Sequence, residues 1–206
     1  MFARRHSAAA IAALIIAASF ALSGCTINIG SPDDDNRGSG MMGDSGPGDG
    51  MMGDADSAGF SPADIMFAQM MIPHHQQAVD MSELAIEKTT DPDVRALAEQ
   101  IRDAQAPEIE LMESWLEEAG VRMSMGQHDM GMGGMLNEDE MTALEDATGA
   151  EFDRLYLEGM IEHHEGAIQM AQMILDSENP EVKALGEAIV ESQTAEIEQM
   201  KQMLGE

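Results

Sequence analysis

The sequence predicts an all-α fold: a four-helix bundle in up-down-up-down order, built from a duplicated helical hairpin. Helix punctuation, the lack of any strand-like alternation, and internal repetition lead there. Ser61-Pro62-Ala63-Asp64, Asp91-Pro92-Asp93 and Asn179-Pro180-Glu181 each place a capping side chain before a proline at the first helical position, with an acid in the first turn. Asn137-Glu138-Asp139-Glu140 and Thr148-Gly149-Ala150-Glu151 read as further capping boxes. Helices are expected over 62–89, 92–119, 149–177 and 180–204, with a short lead-in helix over 138–147.

A constant offset lays Met71, Ile72, His74, His75, Ala78 and Met81 on Met160, Ile161, His163, His164, Ala167 and Met170. After a slip of one residue, Pro92, Leu97, Ile101, Gln105, Glu108, Ile109 and Met112 match Pro180, Leu185, Ile189, Gln193, Glu196, Ile197 and Met200. Both halves therefore keep polar residues among apolar ones. At about 100° per residue, Phe67, Met70, Met71, His74, Ala78, Met81 and Ala85 share one stripe, with His75 at its edge. Gln105 and Glu108 likewise fall on the inward stripe of the second helix. Folding the hairpin brings Glu108 and Gln105 near His74, and the repeat brings Glu196 and Gln193 near His163. With the first and third long helices parallel, both clusters are expected in one layer.

Buried imidazole and carboxylate are costly unless paired or bound to metal, so such a layer needs a reason. One is architectural, a hydrogen-bonded His–Glu layer that fixes helix register. A di-iron carboxylate site is disfavoured, because no His here has Glu three residues before it. His164-Glu165-Gly166-Ala167-Ile168 also fails the zincin pattern, Gln169 standing near where a second His is required. A soft-metal site is the third reason. Met71 lies one turn from His74 and His75, Met160 one turn from His163 and His164, and thioether with imidazole suits Cu(I). A Met stripe at helical spacing is, however, equally the mark of an ordinary core.

The connection between the hairpins is harder to explain as packing. Its stretch over 120–137 sets Met123, Met125, His128, Met130, Met132 and Met135 among glycines, where closely spaced thioethers can wrap Cu(I) or Ag(I) with little strain. An adaptable Met-rich surface for a protein partner is the competing reading.

The chain has 206 residues, with 10 Lys+Arg against 39 Asp+Glu, a formal charge of −29, 3% aromatic residues and 21 Met. That charge repels phosphate backbones and anionic surfaces, so nucleic acid is excluded as a partner and cations are favoured. Arg4 and Arg5, the apolar run Ala8–Leu22 and Leu22-Ser23-Gly24-Cys25 resemble a bacterial lipobox. The resemblance implies cleavage of residues 1–24, lipid on Cys25 and a tether to the outer face of a membrane. A twin-arginine signal and a permanent signal anchor are the weaker alternatives. Residues 25–60, rich in Gly, Asp, Ser and Met, read as a self-repelling tether, and 61–206 as the folded part. The one Cys leaves no disulfide and no thiolate centre in the folded part.

Met71-Ile72-Pro73-His74-His75-Gln76-Gln77-Ala78-Val79-Asp80-Met81 and Met160-Ile161-Glu162-His163-His164-Glu165-Gly166-Ala167-Ile168-Gln169-Met170 resemble domain-of-unknown-function family 305, as do Gln105-x-x-Glu108-Ile109-x-x-Met112 and Gln193-x-x-Glu196-Ile197-x-x-Met200. The resemblance implies a ferritin-like bundle, usually exported, some members of which bind copper or silver and support metal tolerance. Carried over, His74, His75, His163 and His164 become candidate ligands, with Met71, Met81, Glu108, Met112, Met160, Met170, Glu196 and Met200 beside them. The expected function is a lipid-anchored, non-enzymatic binder of Cu(I) that buffers copper or hands it to a copper-handling partner. A structural lipoprotein is the alternative, and copper oxidase chemistry a third. Pro73 and Pro107 stand where the second repeat has Glu162 and Ala195, so the two sites are expected to differ.

Overall fold

The computed structural model describes residues 59–122 and 133–206. The expected leader, Cys25, most of the expected tether, and Met123, Met125, His128, Met130 and Met132 lie outside the described residues. Within them the fold is all-helical: α1 (Pro62–Lys88), α2 (Pro92–Glu118), α3 (Glu138–Asp146), α4 (Ala150–Ala171) and α5 (Pro180–Leu204). None of these helices is long and apolar enough to cross a membrane.

The caps act as their residue types dictate. Ser61 and Asp64 close a reciprocal capping box on α1, and Asn137 with Glu140 closes another on α3. Asp91 and Asn179 accept from the first free amides of α2 and α5. The box expected at Thr148 is absent, because the residue at the cap is Gly149, which has no side chain to accept. The third long helix is also shorter than expected: α4 gives way to a 3-10 turn at Gln172–Ile174. Pro73 and Pro107 sit inside helices that continue through them.

The direction of the second hairpin differs from the expected up-down-up-down order. His74 meets His163, Ser82 Oγ lies 3.2 Å from Tyr156 Oη, and the Thr89 hydroxyl donates to Asp153 at 2.5 Å. Partners later in α1 thus meet residues earlier in α4, so the two helices run antiparallel. The apolar clusters agree. Phe67, Ala68 and Met71 pack with Trp115, Ala171, Ile174 and Val182, while Met81 and Ala85 pack with Leu97, Phe152, Tyr156 and Met200. The reason lies in the connection. The stretch from Ala119 to Gly149 is long enough to return along the helices, whereas an up-down-up-down order needs only a short turn.

This crossover is pinned on the way. Gln69 Nε2 reaches the Arg122 carbonyl at 3.4 Å. Further on, Gln77 makes a two-point clamp on Leu136, donating to its carbonyl at 2.9 Å and accepting from its amide at 2.8 Å. Lys88 donates to the Glu145 carbonyl at the end of α3.

Candidate metal centre

The His–His pairs sit midway along α1 and α4, at the junction of the two apolar clusters, and all four rings are fully buried. Adjacent helical residues point about 100° apart, so each pair serves two directions. The first of each pair meets the other hairpin: the His74 and His163 rings lie 3.7 Å apart between centroids, tilted by 41°. The second turns to its own hairpin, His75 Nε2 lying 2.7 Å from Glu108 Oε2 and His164 Nε2 2.8 Å from Glu196 Oε2. This corrects the expected pairing of Glu108 with His74 and Glu196 with His163. It also moves His75 from the edge of the stripe into the interior.

The two halves differ at the carboxylates rather than at the prolines, since α1 and α2 continue through Pro73 and Pro107. The Glu196 side chain is 7% exposed and its other oxygen accepts from Gln100 Nε2 at 2.9 Å, whereas the Glu108 side chain is 21% exposed.

The central imidazoles are tied to carbonyls. His163 Nε2–H donates to the His74 carbonyl at 2.8 Å, and His74 Nε2–H to the Gly133 carbonyl at 3.3 Å. That second bond needs two glycines. A Cβ on Gly166 would stand 1.8 Å from the Gly133 oxygen, and one on Gly134, at φ +90°, 2.2 Å from the Glu162 oxygen. The sequence sets Gly133 and Gly134 simply among the glycines of the Met-rich stretch and does not reveal their docking on α4. The Gly in His163-His164-Glu165-Gly166, with no counterpart in the first repeat, was the available signal.

Burial drives the His74 pKa down to about 3, reinforced by His75 and His164 and opposed by the Gly133 bond. It takes His163 well below the ordinary value, with His74, His164 and His75 adding to the effect and the carbonyl bond opposing it. Both rings are therefore neutral at physiological pH, the state in which imidazole ligates metal.

Seven buried side-chain atoms among the described residues have no protein hydrogen-bond partner, and all belong to this layer. They are Nδ1 of His74, His75, His163 and His164, both amide atoms of Gln105, and Oε1 of Gln193. Orphans of this kind normally mark a bound water or ion. The candidate thioethers Met71, Met112 and Met170 fill one flanking cluster, and Met81, Met160 and Met200 the other. Met135 is half-buried. No group of three or more His, Cys, Asp or Glu among the described residues is gathered closely enough to hold a metal alone. The donor set is thus imidazole-rich with thioethers close in sequence, which fits a soft ion of low coordination number better than a hard one.

Comparison with known proteins gives the chain's relatives. The chain is similar to a DUF305 fragment from Deinococcus radiodurans, at 34% identity and a TM-score of 0.65 over 70% of this chain and 97% of that one. A DUF305 protein of Streptomyces coelicolor, named as a candidate secreted protein, matches at 36% identity and 0.65 over 69% and 91%. CopM in its Cu(I)-bound form matches at 36% identity and 0.58 over 68% and 94%, and CopM is also known in Cu(II)-bound and Ag-bound forms. No match was found among curated proteins. The model of the Domain of unknown function (DUF305) family matches residues 64–204, and the chain belongs to that family.

Proposed function

We propose that this protein is an extracytoplasmic Cu(I)-binding protein, with Ag(I) as a second cargo, held to the membrane by lipid on Cys25. It serves copper buffering, tolerance or delivery rather than catalysis. The observation that carries the reading is the set of four buried imidazoles whose Nδ1 atoms lack any protein partner, two of them held neutral by burial. An unpartnered buried acceptor is a standing cost that a metal ion relieves. The copper- and silver-bound forms of CopM support the choice of cargo, and the candidate secreted relative supports export. We read the architecture as a ferritin-like four-helix bundle, since its one long crossover is the connection such bundles use.

In this reading His74, His75, His163 and His164 receive the cargo, with Met71 and Met160 as the nearest thioethers in sequence. Glu108 and Glu196 orient the outer imidazoles, and the Met-rich crossover collects ions from outside. Copper is substrate here, not a resident cofactor. An architectural His–Glu layer is the alternative, favoured by the fact that every ring already has one satisfied nitrogen.

The two are separated by His74→Ala combined with His163→Ala. Copper stoichiometry or affinity, titrated against a chromophoric Cu(I) chelator, is expected to fall while far-UV helicity survives. Intact copper binding with only a lowered melting temperature establishes the architectural role instead.

A further inference from the structure

The hydrogen bonds of the central pair fix more than ring orientation. A carbonyl oxygen only accepts, so the nitrogen facing it must carry the proton. His74 Nε2 faces the Gly133 oxygen at 3.3 Å and His163 Nε2 faces the His74 oxygen at 2.8 Å. In a neutral imidazole that leaves the lone pair on Nδ1, and both Nδ1 atoms are buried without a protein partner. The opposite tautomer is doubly disfavoured. It sets a lone pair against a carbonyl lone pair and leaves a buried N–H with nothing to donate to. The outer rings repeat the pattern with carboxylates, Nε2 on Glu108 or Glu196 and Nδ1 unpartnered. An oxygen acceptor behind one ring nitrogen is the arrangement that fixes the tautomer and raises the basicity of the other.

We propose that His74 and His163 take their metal through Nδ1 and keep the Nε2 proton on the carbonyl in the loaded protein. This rests on the copper-binding reading above and specifies which atoms carry it. The two rings are tied unequally. The acceptor for His163 is backbone of α1 itself, whereas the acceptor for His74 is the crossover at Gly133, whose approach requires the missing Cβ of Gly166. Gly166 is therefore a positioning residue for His74 and has no bearing on the proton of His163.

Long-range proton–nitrogen NMR on the metal-free full chain with isotope-labelled histidine reads the tautomers directly. At neutral pH both His74 and His163 are expected in the Nε2–H form. A population protonated at Nδ1 in the wild type overturns the proposal without any metal present. Ag(I), whose nuclei carry spin, is then added, and coupling to silver is expected on Nδ1 of both rings with the Nε2 proton retained. Coupling on Nε2 overturns the proposal. Silver bound without coupling to either ring also overturns it, and places the cargo elsewhere in the protein. Absence of silver binding removes the reading on which the proposal rests, an outcome distinguishable from a wrong tautomer because the metal-free spectrum stands separately. In Gly166→Ala, His74 is expected to lose its tautomer preference while His163 keeps its own, with silver affinity falling by about 10- to 100-fold. An unchanged His74 signal overturns the positioning role of Gly166 and Gly133.

Discussion

At the residue scale, the layer works by giving adjacent histidines different tasks. Helical geometry sends His74 and His163 toward each other and His75 and His164 toward their glutamates, so one dipeptide supplies both a cross-hairpin contact and an oriented imidazole. Neutral burial of the central rings has a measurable cost. Their folded pKa values lie below that of the unfolded chain, about 6.5, so below that pH the unfolded state binds more protons than the folded one. Stability from this source is complete above pH 6.5 and is lost as pH falls toward the folded values, at up to about 1.4 kcal/mol per pH unit for each ring. Urea unfolding of the metal-free protein is expected to weaken from pH 6.5 to 5, with a shallower slope in His163→Leu. Equal slopes in the two proteins would show that the central rings do not govern the acid sensitivity. The inward face of His74 was legible from hydrophobic phase, but the partner of each Glu was not. A stripe gives a direction, and the choice between neighbours within it is made by the relative rotation of packed helices.

At the scale of elements, helix starts were legible because capping chemistry is local: Ser61, Asp91, Asn137 and Asn179 all cap as their side chains require. The direction of the second hairpin was not, since an apolar stripe reads the same whichever way its helix runs. The length of the connection held that information. Its docking depends on Gln77, whose amide replaces the backbone partner that Leu136 lacks in this irregular segment. Gln77→Ala removes two neutral hydrogen bonds worth about 1 kcal/mol each, so a loss of roughly 2 kcal/mol is expected. Hydrogen exchange at the Leu136 amide should rise with it, while exchange in α5 stays protected to the limit set by global unfolding. A stability change without local exchange at Leu136 would place the effect elsewhere.

At the scale of the whole molecule, a formal charge of −29 favours cations over nucleic acid, and the lipobox-like Leu22-Ser23-Gly24-Cys25 is the basis of the proposed lipid tether. Cys25→Ser is expected to leave the protein soluble or as uncleaved precursor. Normal cleavage with unchanged membrane fractionation would refute lipid attachment. The antiparallel crossing of α1 and α4 has a consequence for how the chain is built. Two like hairpins that meet head to tail, with His74 against His163, are related by an approximate two-fold axis through that contact. This is the geometry of an isologous dimer whose halves have been joined. In such a pair the end of one half and the start of the next lie at opposite ends of helices roughly 40 Å long. Fusion then demands a linker long enough to span that distance. In the described part of that linker Gly133 accepts from His74 while His163 donates to α1 instead, so the joined halves are no longer equivalent at the axis itself.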